Sequence, residues 1–289
     1  MQEKVIVKEN KITIANAISI NNNIRPEGEQ VKKGELALKK DTKLNPASIG
    51  YLSSLGITTV SVYKKPTIAI VSTGNEIIEA HQPLAYGQIY ESNSKMLQSA
   101  LYNLNFYDVS LHKIEDDYIK TYETLKELLN DNDLVLIFGG ISVGDYDYVG
   151  KALKALEVEE LFYKVQQKPG KPLFFGKKEQ CLVFALPGNP AAALTCFYVY
   201  VYIALQKIMG KTTIELPRIQ AKSISVFHKN GDRPQFLKAF YSNDEVTILE
   251  GQSSAMLQTF ALSNALVFMP ENIDNIAVND LVNVILLPN

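Results

Sequence analysis

Asp133-Leu134-Val135-Leu136-Ile137-Phe138, followed at once by Gly139 and Gly140, is the stretch that decides how the chain is read. Its five consecutive apolar residues show no alternation, so neither face can look at water. Such a run marks a strand buried on both sides, as in a parallel sheet covered by helices. The glycines allow a tight turn and close backbone approach, and residues 146–156 then read as a helix. The same order recurs on both sides. A compact β-branched run over 68–72 enters Thr73-Gly74, and an apolar run over 181–186 enters Pro187-Gly188-Asn189-Pro190. A long helix follows that turn, ending near Met209 with Gly210 past its end. Between these, 108–114 is strand-like. Asp116 or Asp117 opens an amphipathic helix to Leu129, with Ile119, Tyr122, Leu125 and Leu129 at helical spacing. Ser92 or Ser94 can cap a further helix to about Leu104. Strands alternating with helices define an α/β domain on a mostly parallel sheet.

The pattern changes at both ends. Beyond Leu216-Pro217, short β-rich runs at 219–227, 236–241, 246–249, 265–269 and 281–287 predict a small β-barrel or sandwich. Residues 1–44 are rich in Lys, Glu and Asn with short alternating stretches at 5–7 and 12–14, so small strands are expected there. A short helix is expected from Asn45 or Pro46 to Leu55, stopped by Gly56. The resulting division is 1–59, a β-rich segment with a short helix; 60–212, the α/β domain; and 213–289, the barrel.

Composition excludes several classes. The 289 residues are 46% hydrophobic and 21% charged, ordinary for a globular protein. A net charge of −2 gives no general attraction to nucleic acid or anionic membranes. No basic start with an apolar core and cleavage site is visible, which points to the cytoplasm. Residues 190–206 carry no charge, yet fall short of the ~20 residues a spanning helix needs and include several tyrosines, so a buried or dimer-facing helix is expected. Tyr198, Tyr200 and Tyr202 in it are expected to pack. Cys181 and Cys196 lie in apolar runs as buried free thiols. His81, His112 and His228 are scattered and none pairs with a cysteine at ligand spacing, which disfavours zinc or iron and leaves them as surface or capped histidines. There is no GxSxG elbow and no CxxC.

Three strand-to-helix turns stand where an open α/β sheet binds ligands, beyond the carboxyl ends of its strands. In Ser72-Thr73-Gly74-Asn75-Glu76, Thr73 offers a hydroxyl, Gly74 close approach, and Glu76 a carboxylate for a cation or for acid–base work; an ordinary capping turn has the same composition. In the run over 139–148 (GGISVGDYDY), exposed backbone N–H groups at a helix start suit a phosphate, and Asp145 and Asp147 suit Mg²⁺. This run matches neither the Walker A nor the dinucleotide pattern. The third combines Lys168-Pro169-Gly170-Lys171-Pro172 with Pro187-Gly188-Asn189-Pro190: two lysines on a stiffened turn suit an oxyanion, though a solvated turn carries the same charges.

Taken in order, STGNE, GQIYESNS, GGISVGDYDY, KPGKP and ALPGNP resemble the molybdopterin molybdenumtransferase family of the MoeA type, related to the C-terminal part of gephyrin. The resemblance runs from Arg25 to Ser254. It implies a three-layer, MogA-like molybdopterin-binding domain followed by a β-barrel, and a homodimer whose active site lies between subunits. The implied reaction takes adenylylated molybdopterin and molybdate with a divalent cation, Mg²⁺, and releases AMP. The molybdopterin adenylyltransferase is an implied partner. Carried over by motif, Thr73, Gly74, Glu76, Ser92 and Asn93 line the pterin and phosphate site; Gly139, Gly140, Ser142 and Gly144 approach the phosphate. Asp147 matches the family's acid in that loop, with Asp145 and Glu76 beside it as metal candidates. Lys168 and Lys171 hold anionic groups including molybdate, and Pro187, Gly188, Asn189 and Pro190 shape the pocket. Two departures accompany the match. The family's D-N-S-A-M-D-G-Y-A-like motif is absent and its Gly-Glu-Asp stretch reads Gly28-Glu29-Gln30, so the chain is expected to be the larger part of a longer protein. A pterin-binding module without turnover and a gephyrin-like dimeric scaffold are the alternatives to a complete enzyme; a nucleotide-processing enzyme is a distant fourth.

Overall fold

The computed structural model describes residues 5–14, 19–139 and 148–288. The chain divides into two compact units, Met1–Ser61 and Val62–Asn289. In the first, β1 (Val5–Lys8) and β2 (Lys11–Ile14) form an antiparallel hairpin. Helix α1 (Pro46–Ser54) starts at Asn45, whose side chain accepts from the Ser48 amide while the Ser48 hydroxyl accepts from the Asn45 amide. That reciprocal pair satisfies two of the amides every helix start leaves open. Gly56 follows with φ +75°, as a helix stop requires.

The second unit is built on a six-stranded sheet of β3 (Ile68–Thr73), β6 (Val109–Ile114), β7 (Leu134–Phe138), β8 (Glu159–Tyr163), β9 (Phe174–Lys178) and β10 (Cys181–Leu186), in spatial order β6-β3-β7-β10-β9-β8. The first four are mutually parallel; β9 and β8 join antiparallel. The sheet is therefore mixed at one edge. Only two residues connect β9 to β10, with Glu179 at φ +52°, and so short a link makes a hairpin, never a parallel crossover. Short pieces β4 (Ile77–Ile78) and β5 (Ile89–Tyr90) pair beside the sheet.

Alternation along the central strands fills two cores. Ile68, Ile70, Leu134, Leu136, Phe138 and Phe184 face α2 (Asn93–Asn103) and the long helix after β10. Ala69, Val71, Val135, Ile137, Val183 and Ala185 face α3 (Tyr118–Asp131) and α4 (Tyr148–Ala155). Helix, sheet and helix make three layers, which is why the strands carry no polar face. Asp117 caps α3 by accepting from the Lys120 amide. The buried stripe of α3 is Thr121, Leu125, Leu128 and Leu129; Ile119 lies 70% exposed, contrary to expectation. Thr121 occupies the inward position and satisfies its hydroxyl on the Asp117 carbonyl.

The long helix runs through α5 (Pro190–Cys196), a π-helical turn at Phe197–Val201 and α6 (Tyr202–Ile208). It is long and apolar enough to cross a membrane by length and composition, but most of it is buried within this unit. One side meets the sheet through Ala193, Cys196, Phe197 and Leu205. The other, at Ala191, Leu194, Tyr198 and Tyr202, meets the outside of a closed barrel at Phe236, Leu266 and Ile285. Burial on two sides accounts for a helix without charge from 190 to 206. The barrel is ordered β11-β14-β13-β15-β17: β11 (Arg218–Ser223), β13 (Gln235–Ser242), β14 (Glu245–Ile248), β15 (Ala265–Met269) and β17 (Leu281–Leu286). Its interior holds Leu237, Ala239, Val246, Val267 and Val284. Outside it, β12 (Phe227–His228) pairs with β16 (Asn275–Ile276), and the short α7 (Leu257–Ala261) precedes β15.

Candidate anion-binding site

Because β3, β7 and β10 are adjacent and parallel, the turns after them share one edge of the sheet. Thr73 is buried there and donates its hydroxyl to the Phe138 carbonyl at 3.1 Å. Gly139, at φ +81°, packs directly on it: a Cβ would stand 2.7 Å from Thr73 Oγ1 and 2.8 Å from the Thr73 carbonyl oxygen. Glu76 is exposed, with its carboxylate folded back over Gly74. Asn75 and Asp116 lock this turn by exchanging backbone-to-side-chain hydrogen bonds of 3.2 and 3.1 Å. At the start of α2, the cap comes from Glu91, whose carboxylate accepts from the Ser94 amide at 2.8 Å; Ser92 makes no side-chain cap. Asn93 donates to the Gly188 carbonyl at 2.9 Å, tying α2 to the turn after β10, and its Oδ1 is buried without a partner among the described residues.

The turn after β10 and the Lys168–Pro172 turn meet the barrel around a cavity of about 780 Å³. Lys168, Pro169, Gly170 and Pro172 form one side, and Pro187, Gly188 and Asn189 a second. The barrel closes the third with Phe227, His228, Asn230, Arg233, Gln235 and the run Gln252, Ser253, Ser254. Each wall is fastened. Arg233 Nη1 donates to the Gln167 carbonyl at 3.0 Å, and Lys168 exchanges backbone bonds with Pro234 and Phe236 at 2.9 Å each. Asn189 donates to Ser254 Oγ at 2.8 Å, and the Ala192 amide to the Ser254 carbonyl at 3.2 Å. Behind the lysine turn, buried Gln167 donates to the Pro169 carbonyl at 2.8 Å and accepts from Tyr200 Oη at 2.5 Å. Gly170 sits at φ +97° against Cys196.

Lys168, His228 and Arg233 bring positive or protonatable groups to the cavity, and none of its described lining residues is acidic. A concave surface with cations, amides and hydroxyls but no carboxylate suits an anion with several oxygens, a phosphate or oxyanion. Lys171 is exposed and does not line it, and neither does Pro190, the first residue of α5. Gly140, Ser142, Gly144, Asp145 and Asp147 lie outside the described residues. Among the described residues no cluster of three or more His, Cys, Asp or Glu stands at metal-binding spacing. Both cysteines are free and buried, and burial pushes each thiol up to about 12, so neither is a ready nucleophile. Tyr198 stacks on Phe260, Tyr200 serves Gln167, and Tyr202 packs toward the barrel, the roles expected of them. His228 is exposed, as a surface histidine was expected to be, and it lines the cavity with Asn230, Arg233 and the 252–254 run, to which no role was assigned from sequence. The turn Asn230-Gly231-Asp232-Arg233-Pro234 was the available signal, a Gly- and Pro-marked loop at a strand start.

The chain matches three family models. They are "MoeA N-terminal region (domain I and II)" over residues 1–56, "Probable molybdopterin binding domain" over 69–207, and "MoeA C-terminal region (domain IV)" over 220–287. The chain belongs to the molybdopterin molybdenumtransferase family of the MoeA type. The molybdopterin molybdenumtransferase of Staphylococcus epidermidis is 31% identical over 291 residues, covering 99% of this chain and 69% of that protein. That of Haemophilus influenzae is 33% identical, covering 98% and 72%. A crystal structure of a molybdopterin biosynthesis MoeA protein from Pyrococcus horikoshii superimposes with a TM-score of 0.78 at 32% identity, covering 99% of this chain and 70% of that one.

Proposed function

We propose that the chain acts in molybdenum cofactor biosynthesis, inserting molybdenum from molybdate into adenylylated molybdopterin with release of AMP. The cavity carries this reading: Lys168, His228 and Arg233 converge with no carboxylate among its described lining residues, and both the phosphate of the substrate and molybdate are oxyanions. Thr73, Gly74, Ser92, Asn93 and Gly139 form the pterin and phosphate wall, joined to the cavity through the Asn93–Gly188 bond. Gly140, Ser142 and Gly144, outside the described residues, are proposed to approach the phosphate as the family motif implies. Lys168 holds the anion at the wall, with Lys171 as a second cation on the same turn; Pro187, Gly188, Asn189 and Pro190 shape the side facing it.

Mg²⁺ belongs to the proposal as an ion carried with substrate phosphate. Its oxygen donors are Glu76, exposed in the turn after β3, with Asp145 and Asp147. An ion that keeps most of its water and phosphate ligands needs one or two carboxylates, not a protein cage. When bound it neutralises charge on the phosphates; the chain's residues orient the pterin and hold the departing AMP phosphate. A homodimer, cooperation with the molybdopterin adenylyltransferase, a cytoplasmic location and the division at 1–59, 60–212 and 213–289 complete the reading.

The test is to incubate the chain with adenylylated molybdopterin, molybdate and Mg²⁺ and to measure AMP and active cofactor. AMP release dependent on molybdate is expected. Pterin binding without AMP release would reassign the chain to a binding module, and no binding would refute the assignment.

A further inference from the structure

Lys238 is 3% exposed and sits on β13, and no carboxylate among the described residues forms an ion pair with it. Its ammonium donates instead to three carbonyls of one loop: Gly251 at 2.7 Å, Ser253 at 3.0 Å and Met256 at 3.1 Å. The main chain of the same residue clasps the Gln252 side chain, accepting from Nε2 at 2.9 Å and donating to Oε1 at 2.9 Å. A buried cation is costly, and burial here lowers the lysine's readiness to hold its proton. Three carbonyl partners repay part of that cost only while the loop keeps its shape.

The shape has a consequence. In a trans peptide the carbonyl and the next amide point in opposite directions. Drawing the Gly251 and Ser253 carbonyls inward turns the Gln252 and Ser254 amides away from Lys238. Gln252, Ser253 and Ser254 line the cavity, and neither of those two amides donates a hydrogen bond to any described residue. Neighbouring amides of a turn that face the same way can make an anion-binding concavity. We propose that Lys238 is a positioning residue: it presents the Gln252 and Ser254 amides to an oxyanion without touching it. The inference rests on the reading of the cavity as an anion site.

The test is to titrate the full chain, in separate arms, with molybdate and with inorganic phosphate, following affinity and the amide proton shifts of Gln252 and Ser254. In the wild type at least one anion is expected to bind and move both amides. In Lys238→Met both shifts disappear and affinity falls about tenfold, the size of one lost hydrogen bond to a charged group. Amides of β3 and β7 stay unchanged, which a general loss of structure would not allow. If Lys238→Met does not fold, Lys238→Gln takes its place: it removes the ammonium while keeping a polar head among the carbonyls, and is expected to weaken binding and damp the same shifts. Binding and amide shifts equal to wild type in the folded variant overturn the role of Lys238 alone. No binding of either anion by the wild type overturns the cavity reading as well.

Discussion

Replacing Gly170 with alanine tests whether the lysine turn is held from behind. Two costs can be worked from the structure. The backbone stands at φ +97°, where a side chain is strained by about 1–3 kcal/mol. The new methyl would also lie 2.5 Å from Cys196 Sγ and 3.0 Å from Gln167 Nε2, an overpacking worth about 1–3 kcal/mol. Together they amount to roughly 2–5 kcal/mol, since the neighbours can yield only partly. In a unit of this size each kcal/mol moves the melting temperature by about 2–4 °C, so a fall of roughly 4–20 °C is expected.

The two costs separate by a double-mutant cycle. Cys196→Ala removes the sulfur that the new methyl strikes and leaves the backbone strain. Gly170→Ala/Cys196→Ala should therefore be less destabilised than the two single changes added together, by about 1 kcal/mol or more. Denaturant unfolding of the four proteins supplies the numbers. An additive pair would refute the contact, and a Gly170→Ala chain melting with the wild type would refute the whole account. The same variant should lose anion affinity, because Lys168 rides on the strained turn.

Lys168→Ala and Arg233→Ala should each weaken binding of an oxyanion by about tenfold and flatten its dependence on salt, as loss of a charged hydrogen bond predicts. Affinity unchanged at low salt would remove them from the site. Tyr200→Phe leaves Gln167 Oε1 without its tyrosine donor in a buried place and should cost about 1–3 kcal/mol in unfolding measurements; a neutral result would show that the 2.5 Å bond carries no weight. Cys181 and Cys196 should resist a thiol reagent in the folded chain near neutral pH and react together on unfolding. Because both thiols are raised from 9.0 to about 12, the folded chain keeps protons the unfolded chain releases. Their contribution to stability is full below pH 9 and is lost as pH rises toward 12; alkaline unfolding curves flat over that window for the wild type would contradict the burial argument.

The central strands were legible because burial on both faces leaves an unbroken apolar run, at 134–138 and 181–186 alike. The long helix was legible for the same reason, without its π-helical turn, which no residue type announces. The antiparallel pair β8 and β9 was not seen: Glu159 and Glu160 lie at an exposed edge, so their strand carries no apolar run to read. Ile119 was placed inward because spacing fixes a stripe but not which of two adjacent stripes meets the core; Thr121 holds that place. The lysine and proline turns of the site stood out as local composition. His228, Arg233 and the 252–254 run did not, since only closure of the barrel against the sheet brings them to residues about 40 to 85 positions earlier in the chain.

That closure also explains why short motifs occur together in this chain. Gly139 has no room for a side chain because Thr73 fills it, so the turn after β7 depends on the threonine that ends β3. Asn93 holds the Gly188 carbonyl, Asn189 holds Ser254, and Arg233 holds the carbonyl just before Lys168. Each run thus supplies a partner that another run needs. A change at one turn would be felt at the next through a hydrogen bond or a lost clearance, not through a general loosening. Separate phosphate-like turns would tolerate being altered one at a time; turns fastened in this way move as one wall, which is what an anion held from three sides requires.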